Sequence, residues 1–130
     1  MPARVLVVDD EMDVRTFIAA LLDSNGCHAV LAANGEEGME KLRGKRPALV
    51  ILDVMMPKES GIKMYRDIKT NPEYADIPVL IVSGLAQKTF LHSQKVLDQF
   101  KNQTAPPPEG YIEKPPEPEE LLDEVKRLIG

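Results

Sequence analysis

The sequence predicts an α/β fold, a parallel five-stranded sheet covered by helices on both faces. Three observations carry this. Five short apolar runs alternate with segments of helical periodicity along the whole chain. The central runs are continuous stretches of Val, Ile and Leu rather than alternating patterns, which suits strands buried on both faces. The 130 residues are enough for one hydrophobic core and short of two, so a single domain over 1–130 is expected.

In order, Arg4–Val8 (RVLVV) reads as the first strand. Val14, Phe17, Ile18, Leu21 and Leu22 then fall on one stripe of an amphipathic helix, which Asn25-Gly26 ends. His28–Ala32 is a second, weaker strand, entered from Cys27. Gly35–Arg43 is a short helix burying Met39 and Leu42, and Ala48–Leu52 is the third strand. Ser60 is placed to cap a helix running to Lys69, which Thr70-Asn71-Pro72 stops. Pro78–Val82 is the fourth strand. A long helix from about Leu85 follows, with Phe90, Val96, Leu97 and Phe100 as its expected buried side. Ala105-Pro106-Pro107-Pro108 is a stiff loop, Gly110–Glu113 the fifth strand, and Pro118–Ile129 the last helix.

Composition narrows the function. The net charge of −5 is spread without a basic stripe, which argues against nucleic-acid binding. The apolar runs are too short to cross a bilayer, and MPARVLVV has neither the apolar core nor the cleavage site of a secretory signal. Cys27 is the only cysteine, so no internal disulfide can form, and a cytoplasmic location is expected. Cys27 itself reads as a small packed side chain rather than a functional thiol.

In parallel α/β sheets the chemistry gathers at the carboxyl ends of the strands. Here those ends carry Asp9, Asp10 and Glu11; Asp53; Ser83 and Gly84; and Lys114 and Pro115, while the second strand ends in Ala33-Asn34-Gly35, which reads as a plain turn. Two like charges 4 Å apart repel by about 4 kcal/mol at an effective dielectric of 20, so clustered acids need cations or protons. Lys114 supplies one positive charge. Carboxylates without His or Cys suit Mg²⁺ rather than zinc. Each residue also has a plain structural reading. The acidic run could offset a helix dipole, Ser83 could cap a helix, and Lys114-Pro115 could be a solvated turn. Asp53 fits that account least, since Val54-Met55-Met56-Pro57 is no helix start for it to cap.

Four motifs, VLVVDDE, LVILDVMMPKESG, PVLIVSG and YIEKP, stand in order at the matching strand ends. With them the chain resembles the receiver domain of two-component response regulators. That resemblance implies a flavodoxin-like (βα)₅ doubly wound domain with strand order 2-1-3-4-5. It implies that Asp53 is the phosphoacceptor, taking a phosphoryl group from a sensor histidine kinase or phosphotransfer protein. Asp9, Asp10, Asp53 and the Met55 backbone carbonyl would hold Mg²⁺, and Lys114 would pair with a phosphoryl oxygen. Pro115 would hold that lysine through a cis bond, while Pro57 and Gly61 shape the loop beyond Asp53. Ser83 and Tyr111 would form the switch, Ser83 drawn inward and Tyr111 turning in behind it; Tyr111 as simple edge packing is the plain alternative. The protein would then be a signalling switch, not an enzyme with a separate substrate, and its output partner is not named by the sequence.

Two departures from the family pattern stand out. The stretch from about 85 to 110 is long, and a Leu85–Gln103 helix would span about 28 Å. It could be a docking surface or an idle insertion. Pro116-Glu117-Pro118 follows Lys114-Pro115 where an aromatic or aliphatic residue is commoner. His92, inside the long helix, is expected on the surface. Two rival functions compete: a Mg²⁺-dependent phosphohydrolase with an aspartyl-phosphate intermediate, and a binding-only pseudo-receiver. The first would carry a DxD nucleophile after the first strand, where this chain has adjacent Asp9-Asp10. The second would have lost an acid or the lysine.

Overall fold

The computed structural model describes residues 2–130. Strands β1 (Ala3–Val8), β2 (Cys27–Ala32), β3 (Leu49–Leu52), β4 (Val79–Ser83) and β5 (Gly110–Glu113) alternate with helices. These are α1 (Met12–Asp23), α2 (Gly35–Gly44), α3 (Ser60–Lys69), α4 (Gln87–Phe100) and α5 (Pro118–Ile129). A 3-10 turn, Pro57–Glu59, precedes α3. The strands form one parallel sheet in the order β2-β1-β3-β4-β5, as expected.

The period of two along each strand divides the apolar residues between two layers. Leu6, Val8, Val50, Leu52, Val79 and Ile81 join Met39, Leu42, Met64, Ile68 and Phe90 on the α2, α3 and α4 side. Val5, Val7, Leu49, Ile51, Leu80 and Val82 join Ile18, Leu22, Leu121 and Val125 on the α1 and α5 side. A continuous apolar strand is thus required in β3 and β4, because both faces are covered. Burying each such side chain contributes about 1.5–3 kcal/mol. No helix among the described residues is long and apolar enough to cross a membrane.

Several local expectations change. The Asn34 side chain accepts from the Glu37 amide at 2.8 Å, so Ala33-Asn34-Gly35 is the start signal of α2 and not a plain turn. Ser60 does not cap α3. It is the first helical residue, and its hydroxyl accepts from the Gly35 amide at 3.2 Å, joining the starts of α2 and α3. The fourth helix is shorter than Leu85–Gln103. Its buried side is Phe90 and Gln94, whereas Val96 is 51% and Phe100 88% exposed. The apolar pattern misled here because polar side chains hold this helix, as described below.

Candidate functional site

Two central strands, β1 and β3, deliver the acids to one edge of the sheet. Asp9 follows β1 and Asp53 follows β3; both are buried, while Asp10 and Glu11 reach solvent. The main chain fixes both buried carboxylates. Asp9 Oδ1 accepts from the Glu11 amide at 2.9 Å, and Asp53 Oδ1 accepts from the Met55 amide at 2.8 Å. Gly61 makes room for the turn beyond Asp53: a Cβ there would lie 2.2 Å from the Asp53 carbonyl oxygen. Pro57 opens the 3-10 turn on the same loop.

Lys114, after β5, enters this group from the other side. Its ammonium lies 2.9 Å from Asp53 Oδ2, 3.0 Å from Asp9 Oδ2 and 2.9 Å from Glu11 Oε1. The Lys114–Pro115 peptide is cis. Burial works against the charged amine, but hydrogen bonds to Asp53, Glu11 and Asp9 outweigh it and hold the Lys114 pKa above the usual lysine value. Burial raises the pKa of Asp9, opposed by the Glu11 amide and by Lys114. One ammonium among four acids leaves a negative site. The arrangement attracts a cation.

Its donor set fits a hard divalent ion. Carboxylate oxygens of Asp9, Asp10, Glu11 and Asp53 lie within 4.8 Å of one another. An octahedral Mg²⁺ shell, with bonds of about 2.1 Å, places opposite oxygens about 4.2 Å apart. No His or Cys belongs to the group. Glu11 is the member whose contact was not foreseen; only its place in the acidic run signalled it.

Ser83 is fully buried at the end of β4 and donates to Asp53 Oδ1 at 2.7 Å. The same hydroxyl accepts from the Leu85 amide at 3.3 Å, and the Leu85 carbonyl accepts from the Tyr111 hydroxyl at 2.6 Å. A continuous path therefore runs from Asp53 through Ser83 and Leu85 to Tyr111. Burial, with the charges of Glu113 and Asp53 adding to it, pushes the Tyr111 phenol up to about 12, so it remains a donor at neutral pH. Tyr111 is half-buried and its ring lies 5.7 Å from that of Phe90. In this structure the Ser83 hydroxyl is thus turned to Asp53 and the Tyr111 hydroxyl to the Leu85 carbonyl.

Among known proteins, the family model described as the response regulator receiver domain matches residues 5–126. Response regulator RR06 of Streptococcus pneumoniae serotype 2 is 33% identical over 125 residues, 96% of this chain and 52% of that protein. Response regulator MprA of Mycolicibacterium vanbaalenii is 33% identical over 129 residues, 99% of this chain and 51% of that protein. The chain therefore spans about half the length of these curated relatives. Among solved structures, the chemotaxis protein CheY4 of Vibrio cholerae superposes with a TM-score of 0.81 at 26% identity, covering 98% of this chain and 99% of that one.

Proposed function

The chain belongs to the response regulator receiver domain family, and from that premise we propose that Asp53 accepts a phosphoryl group from a phosphohistidine of a sensor kinase or phosphotransfer protein. The observation that supports this best is the convergence of Lys114, Ser83 and the Met55 amide on one buried carboxylate. In the transfer, an Asp53 oxygen forms the new O–P bond as the donor's P–N bond breaks, and that bonding pair stays on the imidazole nitrogen. Negative charge on the phosphoryl oxygens must be matched, so catalysis is positioning and electrostatic stabilisation. Lys114 supplies one fixed cation within reach of Asp53. Asp9, Asp10 and Asp53, with the Met55 carbonyl, would hold Mg²⁺, which supplies the remaining positive charge beside the transferred group.

The switch reading uses the path from Asp53 to Tyr111. A phosphoryl group on Asp53 offers stronger acceptors to Ser83 than a carboxylate does. It thereby favours the inward serine, and through Leu85 the inward tyrosine, over any outward arrangement. A local charge then biases a two-state surface element. In this reading the chain turns over no separate substrate and works in the cytoplasm alongside its kinase. Its nucleophile follows β3 rather than β1, which separates it from the phosphohydrolase alternative.

The test is incubation with acetyl phosphate and Mg²⁺, followed by intact mass. One added phosphoryl group is expected, and multiple turnover of a panel of phosphate esters is not. Absence of any adduct in the native protein would sink the reading. Lys114→Ala is expected to take up the phosphoryl group and yet not shift conformation, because the cation that draws on the phosphoryl oxygens is gone. Amide exchange at residues 84–90 measures this. A shift in the variant equal to that of the native protein would contradict the role given to Lys114.

A further inference from the structure

The long segment between β4 and β5 is not a free arm. One turn of α3 fastens it by three side chains. The Tyr65 hydroxyl donates to the Pro106 carbonyl. Arg66, 5% exposed, bonds Gln94 Oε1 at 3.0 Å and the Gln103 carbonyl at 2.9 Å, and pairs with Asp98 at 3.0 Å. Lys69 pairs with Glu109 at 2.8 Å, and the same carboxylate accepts from the Val79 amide at 2.7 Å. Asp98 in turn accepts from the Ala105 amide at 3.0 Å. The end of α4 and the proline loop are therefore registered against α3 by buried or half-buried polar contacts.

The same turn touches the switch. The rings of Tyr65 and Phe90 stand edge to face at 5.2 Å, and Phe90 meets Tyr111 at 5.7 Å. Tyr65 and Phe90 are fully buried, and packed interiors pass on a ring's displacement because they leave little free volume. A movement of Tyr111 thus presses on Phe90, then on Tyr65, and reaches the carbonyl that Tyr65 holds in the proline loop. We infer that Phe90 and the α3 turn Tyr65–Lys69 are positioning residues of the switch, carrying it from Tyr111 to the end of α4 and the proline loop. This rests on the phosphoacceptor reading of Asp53.

The Ala105 amide reports on this directly, since its hydrogen bond goes to Asp98. Hydrogen exchange would be followed in the native protein and in Phe90→Leu, with and without Mg²⁺ and beryllium fluoride, which forms a carboxylate adduct resembling an acyl phosphate. Adduct formation is read independently by fluorine NMR. In the native protein the exchange rate at Ala105 is expected to change by about threefold or more, a shift in a local opening equilibrium. Phe90→Leu is expected to form the adduct but to lose the change at Ala105 while keeping it at Leu85. An adduct in the native protein with Ala105 unchanged overturns the inference, whatever the variant does. An undiminished response in Phe90→Leu also overturns it. Failure to form any adduct overturns the Asp53 reading itself, and this inference with it.

Discussion

Asp53→Asn is expected to abolish phosphoryl uptake from acetyl phosphate while leaving the fold intact. The asparagine oxygen can still accept from the Met55 amide and from Ser83, the two bonds that Oδ1 accepts now. Its amide nitrogen would face Lys114, which keeps Asp9 and Glu11 as partners. What disappears is the nucleophile, because a carboxamide in place of the carboxylate has no anionic oxygen to attack phosphorus. Intact mass under conditions that load the native protein gives the answer. Undiminished phosphate on the variant would move the acceptor to Asp9 or Asp10 and undo the proposed function. A circular dichroism spectrum matching the native protein separates lost chemistry from lost structure.

Lys69→Met is expected to lower stability by about 3 kcal/mol, because each carbonyl left without its charged donor costs about 1–3 kcal/mol. The Lys69 side chain is 0% exposed and its partner Glu109 38%. Its ammonium also donates to the carbonyls of Ile77 at 2.8 Å and Ala75 at 3.2 Å. Methionine matches the stem of the lysine but satisfies none of these acceptors. Domains of this size are stable by only about 5–15 kcal/mol, so the loss is a large fraction of the total. A melting temperature lower by roughly 10 °C or more is the corresponding result. Glu109→Gln should cost less, because that carboxylate reaches solvent and an amide can still accept from the Val79 amide. Equal losses in both variants would show that Lys69 acts through its salt bridge alone and not through the carbonyls.

Much of this molecule was legible from residue order. The parallel sheet follows from apolar strands that carry no polar face, and the positions of Asp9, Asp53, Ser83 and Lys114 follow from where those strands stop. The errors concentrate in the segment between β4 and β5. Val96 and Phe100 sit at helical spacing from other apolar residues, yet they face solvent, and Gln94 takes the buried place. Periodicity assumes that a helix is held by its apolar stripe. Here α4 is held by Phe90 together with the contacts of Gln94 and Asp98 to Arg66, so the pattern reads the wrong face. Ser60 shows the same limit at smaller scale: it is a plausible cap for α3, and only the meeting of α2 with α3 turns its hydroxyl to the Gly35 amide instead.

By itself, then, the sequence determined that the acids, the hydroxyl and the lysine stand at the carboxyl ends of the strands along one sheet edge, because β-strands end where apolar residues give way to charge. It could not determine which charges would be paired. Lys114 is separated from Glu11 by 103 positions and from Asp53 by 61, and Arg66 from Gln103 by 37. Such contacts depend on the distance between side chains in the folded chain, and local pattern carries no record of it. The tertiary structure alone decided that Lys114 is shared among three carboxylates and that the α3 turn holds the proline loop.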